Sequence, residues 1–431
     1  MNEVLQRNAG VLQRRWPDLY QRLVAENSDA LHAELVEGLG STLSVYGIQL
    51  TSRHDRVAEA RQQATCVPAD ASVAHLYGGG LGDLQRELLA RPSLIHLHVH
   101  ILNGALFMLV LQLLDQTDWL DEPRVVLGYA GDAREIHLPY FALPSELVLA
   151  DDYNARIRDR LISENHLAFN NRHFDPEDPA NLARLEQGMA LFEQDSDVGE
   201  LFDTRPGCEA LVIATGPSLA THLPRLEALC QSAQRPLVIC VDTAYVPLRR
   251  HGIVPDLVMS IDHNITARHL PAEGSEGVGL VYFLRLDAAL LGAWRGRRYG
   301  SYSHSRLYDG VRARVSRAPL HSGGSVLHPA VDLAVRMGAA RVTLFGADFA
   351  FPHDRTHTGW QDGDLGPRLG AARQWVLDGR GQKVKTQLNF RGYLTELERY
   401  IARHPQVRFF NTSRDGALIS GTDFDPQWTL P

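Results

Sequence analysis

Residues 210–219 read ALVIATGPSL, and the same pattern returns at 236–242 (PLVICVD) and 256–262 (DLVMSID), with GLVYF at 279–283. Each is a short, continuously apolar run that ends on small or acidic residues. Runs of this kind, unlike alternating ones, belong to strands buried on both faces. Between them lie segments with helical spacing, one through Leu229 and one through Arg250 that Gly252 closes. Strand and helix in strict alternation predict a parallel sheet covered by helices, a Rossmann-like α/β fold. Further on, SVLHPAVDLAVRMG (325–338) carries Leu327, Val331 and Ala334 on one stripe, stops at Gly338 and feeds a strand in RVTLFGAD (341–348). A helix through Arg403 and a strand at VRFFN (407–411) complete this domain, expected over 206–431.

Upstream, AHLYGGGLGDLQRELLA (74–90) reads as strand, glycine turn and helix. The run LIHLHVHILNGALFMLVLQLLD (94–115) reads as a strand carrying His96, His98 and His100 on one face, then a buried helix after Asn103. That stripe is better explained as a strand face than as a zinc site, which needs ligands from elsewhere. A short strand pair is expected around Thr42–Thr51. Residues 1–150 thus form a smaller N-terminal α/β domain. Residues 151–205 are polar and helical, punctuated by Asn154, Asn165, Asn170, Asn171, Pro176 and Pro179, and are expected to be a helical connector.

Composition sets limits. Of 431 residues, 44% are hydrophobic and 22% charged, enough for two or three cores. The formal net charge of −8, with Lys and Arg dispersed, argues against a nucleic-acid partner. Cys66, Cys208, Cys230 and Cys240 show no CxxC spacing, which suits reduced thiols and a cytoplasmic location. The N-terminus lacks the apolar stretch of a signal peptide, and the run Ile101–Leu114 is too short for a membrane span.

The chemistry should lie where the strands end. In open parallel sheets, ligands bind beyond the carboxyl ends of the strands. Gly216, Pro217 and Ser218 form either an ordinary strand-to-helix turn or an anion contact, with Ser218 capping the next helix. Asp242 ends the following strand, placed to meet a ribose or to cap the helix beginning at Thr243. Asp262 ends a third strand beside His263 and Asn264; one carboxylate is a weak metal signal, and no resident metal is expected. Ser322, Gly323, Gly324 and Ser325 make a second phosphate-type turn, stronger than the first, with Ser325 a natural N-cap. Asp348 closes the edge. The loop FAFPHDRTHTGWQDGD (349–364) gathers His353, Asp354, His357 and Trp360, and His357 is the candidate general base.

Several of these segments resemble the bacterial motility accessory factor family, flagellin glycosyltransferases that share a domain with an archaeal pterin diphosphokinase. The matching residues are ATGPSL (214–219), DTAYVPLRRHGIVPDLVMSID (242–262), SGGSVLHPAVDLAVRMGAARVTLFGADFAF (322–351) and NTSRDGALISG (411–421), with Tyr77–Gly82 similar to the family's N-terminal glycine turn. Ala214 departs from the glycine found in many relatives. The resemblance implies a sialyltransferase-like central domain that passes a CMP-activated nonulosonic acid to Ser or Thr of flagellin in the cytoplasm. Gly216, Pro217, Ser218, Ser322, Gly323 and Gly324 would surround the CMP, with Asp242 and Asp262 nearby. Such a transferase needs no cofactor beyond its CMP-sugar donor, and Mg²⁺ weakly or not at all. Two rival readings stand beside it. One is an ATP-dependent pterin diphosphokinase with Mg²⁺ on Asp242, Asp262 or Asp348, although the chain lacks a GxxxxGK[ST] motif; the other is a non-catalytic flagellar partner.

Overall fold

A computed structural model describes residues 3–170, 175–232, 235–372 and 374–429, so Asn171 lies outside the described residues. The chain divides into two compact units, 1–162 and 163–431.

The first unit begins with helices α1 (Glu3–Arg15) and α2 (Pro17–Val24) and a small antiparallel sheet of β1 (Ala33–Val36), β2 (Thr42–Val45) and β3 (Ile48–Gln49). After α3 (Arg56–Ala64) come β4 (Val73–Tyr77), α4 (Asp83–Leu89), β5 (His96–Ile101), α5 (Gly104–Leu113), α6 (Thr117–Leu120), β6 (Val125–Tyr129), β7 (Tyr140–Ala142) and α7 (Pro144–Leu149). Strands β6-β5-β4-β7 form a parallel sheet in that order. One face buries Leu76, Leu97, Val99 and Leu127 with Leu12, Leu23 and Leu111 of the helices. The other face carries the histidines.

Strand register turns that stripe into a cluster. His75 lies opposite His98, and Tyr77 opposite His100. The His75 ring stacks on His98, His137 and His100 at 4.6, 5.0 and 5.3 Å between centroids, and His75 Nδ1 is 3.0 Å from His100 Nε2. Burial, with the neighbouring imidazoles adding to it, lowers the pKa of His75 to about 4 and that of His100 to about 3.

The second unit holds nine parallel strands in the order β18-β17-β14-β9-β10-β11-β12-β13-β8. Their ranges are β8 (Ser196–Asp197), β9 (Glu209–Ile213), β10 (Leu237–Val241), β11 (Leu257–Ser260), β12 (Gly279–Phe283), β13 (Arg298–Ser301), β14 (Arg341–Phe345), β17 (Arg408–Asn411) and β18 (Asp423–Phe424). An antiparallel hairpin, β15 (Gln374–Leu377) with β16 (Lys383–Thr386), stands apart. Helix α8 (Ala155–Asn170) spans the division between units, and α9 (Pro179–Gln194) precedes β8. The crossovers use α10 (Leu219–Cys230), α11 (Asp242–Arg250), α12 (Ala288–Ala293), α13 (Asp309–Arg314), α14 (Leu327–Arg336) and α15 (Leu388–Ala402).

From β9 the chain advances through β10, β11, β12 and β13, then returns to place β14 on the far side of β9. The strand order therefore reverses between β9 and β14, where the crevice of a doubly wound sheet opens. Core strands such as Val238–Cys240 and Leu280–Tyr282 are fully buried, as their unbroken apolar character predicts.

Residues 151–205 differ from the expected connector. Asn165 does not break α8, which starts just after Asn154, α9 sends Leu185, Met189 and Phe192 into the main core, and β8 pairs with β13 as an edge strand. Leu185, Met189 and Phe192 sit at helical spacing that the surrounding polar residues obscure.

The histidine cluster makes acid stability predictable. Between the unfolded value near 6.5 and the folded values near 4 and 3, the unfolded chain binds more protons. Stability is therefore complete above about pH 6.5 and falls as pH drops below it. Urea unfolding followed from pH 7 to pH 5 should show a declining midpoint, and a His75→Gln, His100→Gln variant should show a shallower decline.

Candidate functional site

Two turns at the C-terminal edge of the second sheet begin from similar sequences and end in different states. After β9, the Gly216 N–H donates to the Gly346 carbonyl at 2.9 Å, and the Ser218 N–H donates to Asp348 Oδ2 at 2.8 Å. Thr358 closes the turn from outside. Its hydroxyl donates to the Gly216 and Pro217 carbonyls at 2.9 and 3.2 Å, and its N–H to the Thr215 carbonyl at 2.8 Å. A Cβ at Gly216 would run into the Asp348 carboxylate and the Gly346 carbonyl, so only glycine fits. The amides expected to face an anion at Gly216 and Ser218 are thus spent on the protein's own oxygens. Ser218 is the N-cap residue of α10, yet its hydroxyl makes no capping bond, because its helical φ/ψ turns the side chain from the amides that follow.

The turn before α14 is open. His321 N–H donates to Asp332 Oδ2 and Ser325 N–H to His328 Nδ1, but among the described residues the amides of Ser322, Gly323 and Gly324 have no hydrogen-bond partner. Gly324 has φ +95°, and a Cβ there would strike the Tyr393 ring. Successive amides beside a left-handed glycine form an anion-binding nest. His328 holds the turn in place: buried and lowered to about pKa 4, it accepts from Ser325 N–H while its Nε2 lies 2.9 Å from the Tyr393 carbonyl of α15. The N-cap of α14 is Val326, one residue beyond the expected Ser325, whose hydroxyl still accepts from Leu327 N–H at 3.3 Å.

Helix α14 packs on β9 and β10, bringing this turn to the strand ends that carry the acids. Asp242 is buried, with Oδ2 accepting from the Ser260 hydroxyl at 2.7 Å and Oδ1 from Thr243 N–H at 2.8 Å. Burial pushes its pKa up to about 7 despite those donors, and Asp262 adds to the rise. Asp262 itself is exposed, with Oδ1 accepting from Asn264 N–H and Nδ2 at 3.0 Å each. Its charge also reaches Tyr393, so β10, β11 and the Ser322 turn share one electrostatic neighbourhood. Asp348 is likewise buried and raised to about 6.

The loop beyond β14 separates the candidate bases. His357 is largely buried, which lowers it to about 4, with Asp362 opposing that shift. His353 is exposed in a left-handed conformation, 3.1 Å from Asp415. Trp360 donates from Nε1 to the Thr243 carbonyl at 2.8 Å and packs on His269, tying the loop to the end of β10. Thr358, His328, Tyr393 and Arg285, a buried guanidinium just past β12, escaped the sequence reading. Arg285 lies two residues past GLVYF, after Leu284, and carried a signal, since a charged residue in an apolar run is seldom buried without a task.

The glycine turn of the first unit is filled. The buried Glu146 of α7 accepts from Gly80 N–H, with Gly79 N–H also facing the carboxylate, so an internal carboxylate stands where a bound anion would. Among the described residues no three His, Cys, Asp or Glu side chains are grouped to hold a metal ion, and no helix is long and apolar enough to cross a membrane.

The buried acid yields a test. Asp242 titrates above its unfolded value, so its contribution to stability is present at low pH and is lost as pH rises from about 4 to about 7. Asp242→Asn removes the buried charge while keeping one acceptor oxygen, and at pH 8 should stabilise the protein by up to about 4 kcal/mol. Urea midpoints at pH 5 and pH 8 would show the gain growing with pH.

Comparison with known proteins finds similarity over this edge. Residues 187–354 match the model described as 6-hydroxymethylpterin diphosphokinase MptE-like. The 6-hydroxymethyl-7,8-dihydropterin pyrophosphokinase of Methanothermobacter thermautotrophicus is 27% identical over 164 residues, 38% of this chain and 66% of that enzyme. The match therefore spans just under two thirds of that relative's length. Among solved structures, the MAf glycosyltransferase from Magnetospirillum magneticum AMB-1 aligns over 100% of this chain and 75% of its own, at 15% identity and a TM-score of 0.46. The matched segment runs from α9 past Asp348 and takes in both turns and all three strand-end acids, so the similarity to the MptE-like model covers the part of the chain that holds the candidate site.

Proposed function

We propose that this chain is a glycosyltransferase that binds a CMP-activated nonulosonic acid at the Ser322 turn and passes the sugar to Ser or Thr hydroxyls of flagellin in the cytoplasm. The observation that carries the reading is the row of amides at Ser322, Gly323 and Gly324, unpartnered among the described residues, at the strand-end edge of a doubly wound sheet. Three fixed dipoles suit the single phosphate of CMP. As the bond between the sugar's anomeric carbon and the phosphate oxygen breaks, the electron pair leaves with the phosphate, whose charge the amides meet. The acceptor oxygen bonds to that carbon and its proton passes to a base. His357 is neutral at physiological pH, so its lone pair is available, and Asp362 favours the imidazolium that forms. Asp242 and Asp348 are assigned to ordering the strand ends, and Asp262 to the sugar or nucleoside.

A second reading follows the archaeal relative: pyrophosphoryl transfer from ATP, with Mg²⁺ on these carboxylates. Against it, both oxygens of Asp242 and Oδ2 of Asp348 already accept hydrogen bonds from the protein.

Gly324→Val should drive a side chain into Tyr393 and weaken CMP binding by about 10-fold or more, with an unchanged circular dichroism spectrum. Wild type incubated with CMP-nonulosonic acid should add the sugar's mass to flagellin. AMP release from ATP dependent on Mg²⁺ and a hydroxymethylpterin, with flagellin mass unchanged, would establish the second reading instead.

A further inference from the structure

Two side chains of α15 lie on the two glycines of the Ser322 turn. A Cβ on Gly324 would come within 2.7 Å of Tyr393 Cε1, and one on Gly323 within 2.6 Å of Glu396 Cβ and 3.1 Å of its Cγ. Tyr393 and Glu396 stand at i and i+3, so they share one face of the helix. The contact of His328 Nε2 with the Tyr393 carbonyl, at 2.9 Å, fixes α15 against the turn. Glu396 is half-buried, with 26% of its side chain exposed. A carboxylate thus stands beside amides whose arrangement suits an anion.

Arg399 answers this carboxylate only in part. Its Nη1 donates to Glu396 Oε1 at 2.7 Å and its Nη2 to Glu164 Oε1 at 2.9 Å, so one guanidinium serves two carboxylates. The charge of Glu396 is felt at the turn, where it raises the pKa of both His321 and His328 against the larger, lowering effect of burial. A carboxylate next to a phosphate site penalises each further negative charge that a ligand brings, which is selection by repulsion.

We propose that Glu396 is a specificity-determining residue of the donor site, favouring the singly charged phosphodiester of a nucleotide-sugar at the Ser322 turn over a doubly charged phosphomonoester. This rests on the reading given under Proposed function and deepens it. The phosphate of a CMP-sugar is esterified on both sides and carries one charge, whereas that of free CMP approaches two above its second pKa of about 6. Transfer of the sugar turns the first into the second, because the electron pair of the broken bond stays on the phosphate oxygen. Glu396 therefore sets the loaded donor above the spent nucleotide.

Titration calorimetry at pH 8 with CMP and with its methyl phosphodiester, which carries one charge, gives the ratio of the two dissociation constants. Glu396→Gln should lower the ratio of the CMP value to the diester value by about 3-fold or more relative to wild type. Glu396→Asp keeps the charge and should hold the ratio within about 2-fold of wild type. An unchanged ratio in Glu396→Gln would overturn the proposal. An equally large fall in Glu396→Asp would also overturn it, since the effect would then come from packing and not from charge. If wild type binds neither cytidylate, the glycosyltransferase reading falls; if it binds both and the ratio ignores Glu396→Gln, only the role of Glu396 falls.

Discussion

The hydrogen bond from Ser218 N–H to the buried Asp348 carboxylate holds the strand-end edge together. It joins the end of β9 to the end of β14 across the position where strand order reverses. Gly216 N–H to Gly346 O lies beside it, and Thr358 seals both. A doubly wound sheet ordinarily leaves a crevice there. Here the crevice begins with an internal carboxylate in the place a ligand's anion would take, and the glycines at 216, 346 and 416 leave no room for side chains around it.

That occupancy separates three glycine-bearing turns with similar sequence signals. The turn at Gly78 is satisfied by Glu146 and the turn at Gly216 by Asp348 and Gly346, while the turn at Ser322 keeps its amides unspent. Ser322 and Gly323 are half-buried and Gly324 is exposed, so these amides are open to an incoming ligand rather than spent on the protein. The acids around it follow the same logic. Asp242 and Asp348 are held near neutrality, at about 7 and about 6, where their charge responds to a nearby phosphate or cation. Dipoles fixed before the ligand arrives need no reorganisation when charge develops.

Much of the architecture was legible because it depends on local pattern. PLVICVD and GLVYF became β10 and β12 at almost the expected limits, since unbroken apolar runs between turn signals leave few alternatives. Gly252 and Gly338 end their helices with positive φ, as glycine past a helix should. The hairpin β15–β16 was missed: Lys383, Lys385 and Thr386 look like polar loop, and its pairing is with itself rather than with the main sheet. Helix α9 was read as linker because its apolar residues are diluted by Asn, Arg, Glu and Gln. The site was legible in its residues but not in their state. Asp348 lies 130 residues from Ser218, and Glu146 lies 66 from Gly80, so nothing local could reveal that two of the three turns are already filled.

The claim that the Ser322 turn alone receives the donor's phosphate is tested most directly by a crystal structure with CMP soaked in. The account predicts phosphate density within hydrogen-bonding distance of the Ser322, Gly323 and Gly324 amides, with the Ser218–Asp348 bond unbroken. Phosphate bound instead at Gly216, with Asp348 displaced, would contradict it.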